Sequence, residues 1–260
     1  MDTNRERVNL RDTDLQAKND CCISHRDRRT ALRLLLAAPV ALAGSSLVRP
    51  DAAQAAALTR EERDKLTPDQ VIEMLERGNE RFRSGKMQAH DYLAQKRATA
   101  GGQYPAAAIL SCIDSRAPAE IILDTAIGDT FNARIAGNIA NDDLIGSLEF
   151  ACAAAGAKVV LVMGHTACGA VKGAIDNVEL GHLTALLDKI KPAVAATTFS
   201  GARTSKNDAF VDAVAATNVR RTVDEIRARS TVLATLEKDG KLKIVPSMYH
   251  LVGGRVEMLK

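Results

Sequence analysis

Two short apolar runs, each unbroken and each closed by a turn, constrain this chain more than any other feature. The stretches AAAILS (residues 106–111) and KVVLVMG (residues 158–164) carry no polar residue in their interiors. A strand with one wet face alternates apolar and polar residues, whereas a strand buried on both faces reads as a continuous apolar run. Around these runs the apolar spacing is helical. Buried strands alternating with helices imply an α/β domain built on a mainly parallel β-sheet flanked by helices.

The remaining elements fit that frame. The segment TPDQVIEMLERGNERF has Thr67 as N-cap, Pro68 at the first helical position and Gln70 to close a capping box, with Val71, Ile72, Leu75 and Phe82 as its apolar stripe. Residues 56–65 read as a charged linker, and residues 90–100 as a second, polar helix stopped by Gly101 and Gly102. TFNARIA (residues 130–136) is a further strand, and residues 143–155 form a helix ended by Gly156. Helical periodicity returns over residues 183–194 and 208–237; KLKIVPSMYH and RVEMLK then read as strands paired through Gly253 and Gly254. With aromatics at only 3%, the core must be made from Ala, Val, Leu and Ile.

The first 55 residues belong to a different class. Arg28 and Arg29 precede an uncharged run over residues 34–48, followed by Ala53-Gln54-Ala55. A basic region, an apolar stretch and a small-x-small site make an export signal. The run is short for a membrane span, which needs about 20 apolar residues, so no stable span is expected after cleavage. The paired arginines point to the twin-arginine route and hence to an exported, periplasmic protein. Residues 1–55 are therefore read as the signal with its preceding segment, and residues 56–260 as one domain. Nine of the 35 Lys/Arg and seven of the 32 Asp/Glu lie in the signal, which leaves the domain near charge balance. Arg220, Arg221, Arg227 and Arg229 are interleaved with Asp224 and Glu225, a solvated helix face, and nucleic acid is not an expected partner.

Cys21 and Cys22 fall in the signal, so the domain retains Cys112, Cys152 and Cys168. An odd count in an exported protein is no disulfide framework. Cys152 sits at an apolar helix position and reads as core. The other two stand at punctuated places. Ligands of open parallel sheets bind outside the carboxyl ends of the strands. Cys112 follows the first apolar run, His165 follows Gly164 at the end of the second, and Cys168 lies three residues further on. If those strands are neighbours, all three side chains converge.

Two thiolates and an imidazole suit zinc, and three protein ligands leave a tetrahedral ion one position for water. Asp114 and Arg116 follow Cys112 at two and four residues. A bidentate arginine keeps a carboxylate ionised, ready to accept a hydrogen bond from water that zinc acidifies to a pKa of about 7. Asp114 as a fourth, closing ligand is the alternative. On residue chemistry alone, a Cys112–Cys168 redox pair and a structural zinc in an exported binding protein also stand.

The motifs CIDSR and GHTACG, with GNERF, GDTF and RIAGN in order before and between them, resemble those of β-class carbonic anhydrases from Thr67 to the carboxyl end. The resemblance implies Cys112, His165 and Cys168 as ligands of one zinc per subunit and Asp114–Arg116 as the catalytic dyad. It also implies that Gln103 hydrogen-bonds the substrate or bicarbonate, that Phe131 lines the carbon dioxide pocket, often that of the neighbouring subunit, and that the Gly169 backbone N–H meets the substrate. The implied reaction is reversible hydration of carbon dioxide to bicarbonate and a proton, with zinc hydroxide as nucleophile. The implied assembly is a homodimer or a dimer of dimers, with amino-terminal helices on the partner subunit, which would give the Val71–Phe82 stripe a place to bury. Carbon disulfide and carbonyl sulfide hydrolases of the same fold share this ligand set and remain an alternative. Two departures from the family pattern are Ile135 for Asn in RIAGN, where the polar group is not a ligand, and His250 after Tyr249, which reads as a surface residue, with a proton carrier as the alternative. Without Trp, the family's Trp-Arg-Tyr bicarbonate site is not expected.

Overall fold

The strand order β2-β1-β3-β4-β5 puts the two fully apolar strands side by side at the centre of one five-stranded sheet. The computed structural model describes residues 57–260; the expected export signal lies outside them. The strands are β1 (Ala107–Ser111), β2 (Thr130–Arg134), β3 (Val159–His165), β4 (Lys243–Tyr249) and β5 (Val256–Met258). The first four are parallel and β5 closes the edge antiparallel to β4. Every residue of β1 and β3 is buried, as their unbroken sequences require.

Around the sheet lie α1 (Arg60–Lys65), α2 (Pro68–Arg83), α3 (Tyr92–Thr99), α4 (Ala119–Ile122), α5 (Asp142–Glu149), α6 (Gly169–Ile175), α7 (Gly181–Asp188), α8 (Lys191–Ala196), α9 (Asp208–Arg229) and α10 (Thr231–Lys238). Successive strand residues point to opposite faces, and the core divides accordingly. Leu110, Val160 and Val162 pack with Phe210, Val214 and Val219 of α9 on one face. Ile109, Leu161 and Met163 pack with Val71 and Leu75 of α2 on the other. Val71 and Leu75 of the α2 stripe thus bury against the chain's own sheet, with Ile72 and Phe82 partly buried beside them.

Residues 60–65 form a helix where a linker is expected. Thr59 and Glu62 make a reciprocal capping box that supplies its start. The helical stretch over residues 208–237 is two helices, broken at Ser230, whose hydroxyl accepts from the Leu233 N–H to start α10. The stretch over residues 183–194 likewise divides, with Pro192 in the first turn of α8. The helix after Asn141 begins one residue earlier than expected and finishes as a π turn, Phe150–Ala154.

The motif GNERF explains itself in this frame. A Cβ on Gly78 would lie 1.8 Å from the Leu123 carbonyl oxygen, so α2 meets the end of α4 only with glycine there. Buried Asn79 donates to the carbonyls of Ile122 and Gly254 and accepts from the Val256 N–H. Arg81 pairs with the wholly buried carboxylate of Asp124. The motif ties α2 to the sheet and touches no ligand. No described helix is long and apolar enough to cross a membrane.

Candidate metal centre

Because β1 and β3 pair in parallel with Ser111 opposite Met163, both strands leave the sheet at the same end. Cys112 follows directly on β1, and His165 is the last residue of β3. Cys168 caps the start of α6. The ligand atoms of Cys112, His165 and Cys168 all lie within 4.8 Å of one another, and all three residues are buried. The convergence expected from neighbouring strands is observed.

The imidazole is prepared for a metal. His165 Nδ1 lies 2.9 Å from the carbonyl oxygen of Thr166. A carbonyl only accepts, so Nδ1 carries the proton and Nε2 presents its lone pair. Nε2 is buried and has no hydrogen-bond partner. An orphaned buried acceptor is costly, and a cation between the two sulfurs removes that cost. This donor set fits zinc. Thr166 is itself fixed, since its N–H donates to the Tyr249 carbonyl and its hydroxyl accepts from the Leu251 N–H.

The electrostatics favour a cation. The adjoining Cys168 thiol holds the Cys112 thiol well below its usual range, helped by His165 and the Gly137 N–H against the cost of burial. The same partnership, with burial, pushes Cys168 up, against N–H groups of Val171 and Ala170 at the start of α6. Burial opposes charge on His165, but the Cys112 sulfur, the Thr166 carbonyl and Asp114 together raise the imidazole. Cys152 lies elsewhere in the core, its thiol pushed up to about 12 by burial alone. The described cysteines are free thiols.

Asp114 stands at the rim. Arg116 binds both its oxygens, and Asp114 Oδ2 lies 3.8 Å from His165 Nε2. The Arg116 side chain, then its backbone N–H, hold the carboxyl far below the ordinary range despite partial burial. Gly169 is the first residue of α6, directly after the second sulfur ligand.

Gln103 and Phe131 are not brought to this cluster within the chain. Gln103 precedes β1, and Phe131 is paired with Ala108 near the amino end of the sheet. Cys112 lies beyond the other end, four residues on from Ala108 and so roughly 13 Å away at about 3.3 Å per residue. Phe131 instead makes an edge contact with Phe150, ring centroids 6.1 Å apart.

Two supporting residues escape a reading of the sequence by ligand chemistry. Arg134 donates from Nε to the Cys112 carbonyl at 2.9 Å and from Nη2 to the Asp114 carbonyl at 2.6 Å, framing the loop between ligand and dyad. The Gly137 N–H points at the Cys112 sulfur, 3.4 Å away. Both belong to RIAGN, so the motif marked them without revealing their task.

The family model described as carbonic anhydrase matches residues 107–256. Carbonic anhydrase 2 of Mycobacterium tuberculosis is 36% identical over 187 residues, which cover 70% of this chain and 87% of that protein. Among solved structures, a β-carbonic anhydrase of Aspergillus fumigatus matches with a TM-score of 0.57 at 28% identity, over 63% of this chain and 79% of that one. A β-carbonic anhydrase of Sordaria macrospora, one of two described as tetrameric, matches with a TM-score of 0.54 at 25% identity, over 62% of this chain and 83% of that one.

Proposed function

This chain belongs to the β-carbonic anhydrase family, and from that premise we propose that its centre works open, with Asp114 as the proton acceptor beside the three ligands. It is a zinc-dependent carbonic anhydrase that hydrates carbon dioxide reversibly to bicarbonate and a proton. The observation that carries the reading is the lone pair of His165 Nε2, buried without a hydrogen-bond partner and within 4.8 Å of two sulfurs. Zinc held by three protein ligands supplies Lewis acidity that brings water to a pKa of about 7.

The chain's own residues do the rest. Cys112, His165 and Cys168 hold the ion, and the Thr166 carbonyl keeps the proton of His165 on Nδ1. Both oxygens of Asp114 are committed to Arg116, which keeps the carboxylate ionised and turned to the rim, free of the ligand role. From there Oδ2 accepts a hydrogen bond from the reacting water and passes a proton outward. The Gly169 N–H, at the start of α6 directly after Cys168, would meet the substrate oxygen.

Gln103 and Phe131 act, in this reading, from a second copy of the chain. Their place at the far end of the sheet supports a homodimer or a dimer of dimers, as does the tetramer described for the Sordaria macrospora relative. Residues 1–55 deliver the enzyme to the periplasm by the twin-arginine route, a reading supported by Arg28, Arg29 and the uncharged run after them. Cell fractionation with amino-terminal sequencing of the exported form tests it; a full-length cytosolic protein overturns it.

The function itself is tested by stopped-flow hydration of carbon dioxide, with zinc measured on the same sample and carbon disulfide and carbonyl sulfide as competing substrates. Zinc-dependent turnover of carbon dioxide is expected. Equal rates with and without zinc defeat the mechanism, and faster turnover of carbon disulfide or carbonyl sulfide moves the chain to the hydrolases.

A further inference from the structure

We propose that helix α9 sets the geometry of the metal centre from outside it, through two positioning residues, Asp212 and Asn218. The inference rests on the zinc reading above and adds a task for residues that touch neither ion nor substrate. Asp212 Oδ1 accepts the N–H of Ala167 at 2.8 Å. Ala167 lies between His165 and Cys168, and its φ of 53° is left-handed. That conformation is unfavourable for a residue with a Cβ, and alanine has no polar side chain to offset it. The backbone angle at Ala167 decides where Cys168 points relative to His165. The Asp212 carboxylate is the group that holds it.

Asn218 serves the other sulfur. Its Nδ2 donates to the Gly137 carbonyl at 2.7 Å, and the Gly137 N–H faces Cys112 Sγ at 3.4 Å. Gly137 has a φ of 67°, and a Cβ there would come within 2.5 Å of Ile190 Cδ1, so this turn too is held in one particular shape. Asn218 is buried on an α9 face that also presents Val211, Val214, Ala215, Val219 and Thr222 to the core. An amide in that position is unfavourable unless hydrogen-bonded, and Gly137 is the partner that justifies it. One rigid helix therefore braces the turn before Cys168 and the turn that caps Cys112. Neighbours of metal ligands that fix their orientation are commonly worth 10- to 100-fold in metal affinity.

The test measures zinc affinity of the full chain by competition with a chromophoric chelator, together with the melting temperature of the metal-free form and the visible spectrum of the cobalt-loaded form. Asp212→Ala and Asn218→Ala are each expected to weaken zinc binding by about 10- to 100-fold and to alter the cobalt bands, a loss larger than the fall in metal-free melting accounts for. Asp212→Asn keeps an acceptor oxygen and is expected to restore most of the affinity. Adding Ala167→Gly to Asp212→Ala is expected to recover part of the loss, because glycine adopts the left-handed angle without steric cost. Parental affinity in both alanine variants overturns the proposal, as does a loss fully matched by destabilisation of the metal-free form. Where Asp212→Ala fails to fold, Asn218→Ala decides on the same criteria. A parent chain that binds no zinc overturns the metal reading and this inference with it, which separates the two failures.

Discussion

Arg116 grips Asp114 by both oxygens, Nε at 2.9 Å from Oδ1 and Nη2 at 2.8 Å from Oδ2, while Oδ2 stays 3.8 Å from His165 Nε2. The Arg116 backbone N–H adds a third bond at 2.9 Å. The carboxylate is thereby kept ionised, turned to the rim, and close enough to the ligand set to orient water. In the proposed reaction the sulfurs and the imidazole would carry the ion, and the dyad the proton.

That division predicts the behaviour of Asp114→Asn. The amide is nearly isosteric but is no proton acceptor at neutral pH. Removing one positioned general base typically costs 10²–10⁴-fold. Zinc content should stay at about one per chain while the hydration rate falls by at least about 10²-fold. Loss of zinc along with activity would show that Asp114 is a ligand.

Arg81 and Asp124 give a prediction about pH. The Asp124 side chain is wholly buried and meets Arg81 Nε at 2.5 Å, His90 Nε2 at 3.0 Å and the Gln88 N–H at 3.2 Å. Burial works to raise its pKa, but these bonds outweigh it and the carboxyl titrates below its ordinary value. A pKa depressed on folding gives stability that is full above the unfolded value of about 3.9 and is lost as pH falls through the folded one. Arg81→Met should therefore cost about 2 kcal/mol in urea unfolding at pH 7, the scale of a charged hydrogen bond. The gap from the parent should narrow as pH drops below about 4. A gap that is constant with pH would assign the loss to packing.

What the sequence revealed, and what it hid, follows from which interactions are local. The ligand strands were legible because strands buried on both faces have no polar interior, and their ends carry the ligands. The α1 helix was not: it is six residues long with Arg63 as its one buried residue, so it has no apolar period to read, only the Thr59–Glu62 box. The break at Ser230 was invisible because the apolar period runs across it. The α2 stripe showed that a face is buried, not which surface buries it; Val71 and Leu75 meet the chain's own sheet. Asp212 reaches Ala167 across 45 residues, a contact no spacing announces. Asn218 did leave a trace, as an amide on a helix face that is apolar apart from Thr222.

Cys152 offers a control for the ligand assignment. It is a buried free thiol packed in the core, apart from the cluster of three donors. Cys152→Ala should leave the zinc content unchanged and cost about 1 kcal/mol of stability, the price of a small cavity. A drop in zinc on this change would mean that the wrong cysteines have been named.

Removing the metal should be felt by the whole fold, because its ligands come from the loop after β1, the end of β3 and the start of α6. A ligand bound only by the native state stabilises it by about 4 kcal/mol when free ligand is about 1,000 times Kd. For a domain of this size each kcal/mol moves the melting temperature by about 2–4 °C, so chelation should lower it by about 8–16 °C under those conditions. Cys112→Ser should lose zinc and activity together, and its melting should no longer respond to chelator. The hydroxyl of serine is not ionised at neutral pH, and it replaces a sulfur placed within 4.8 Å of both other ligand atoms. If Cys112→Ser retained zinc and the same chelator response as the parent, the ion would be held elsewhere, and the lone pair of His165 would need another partner.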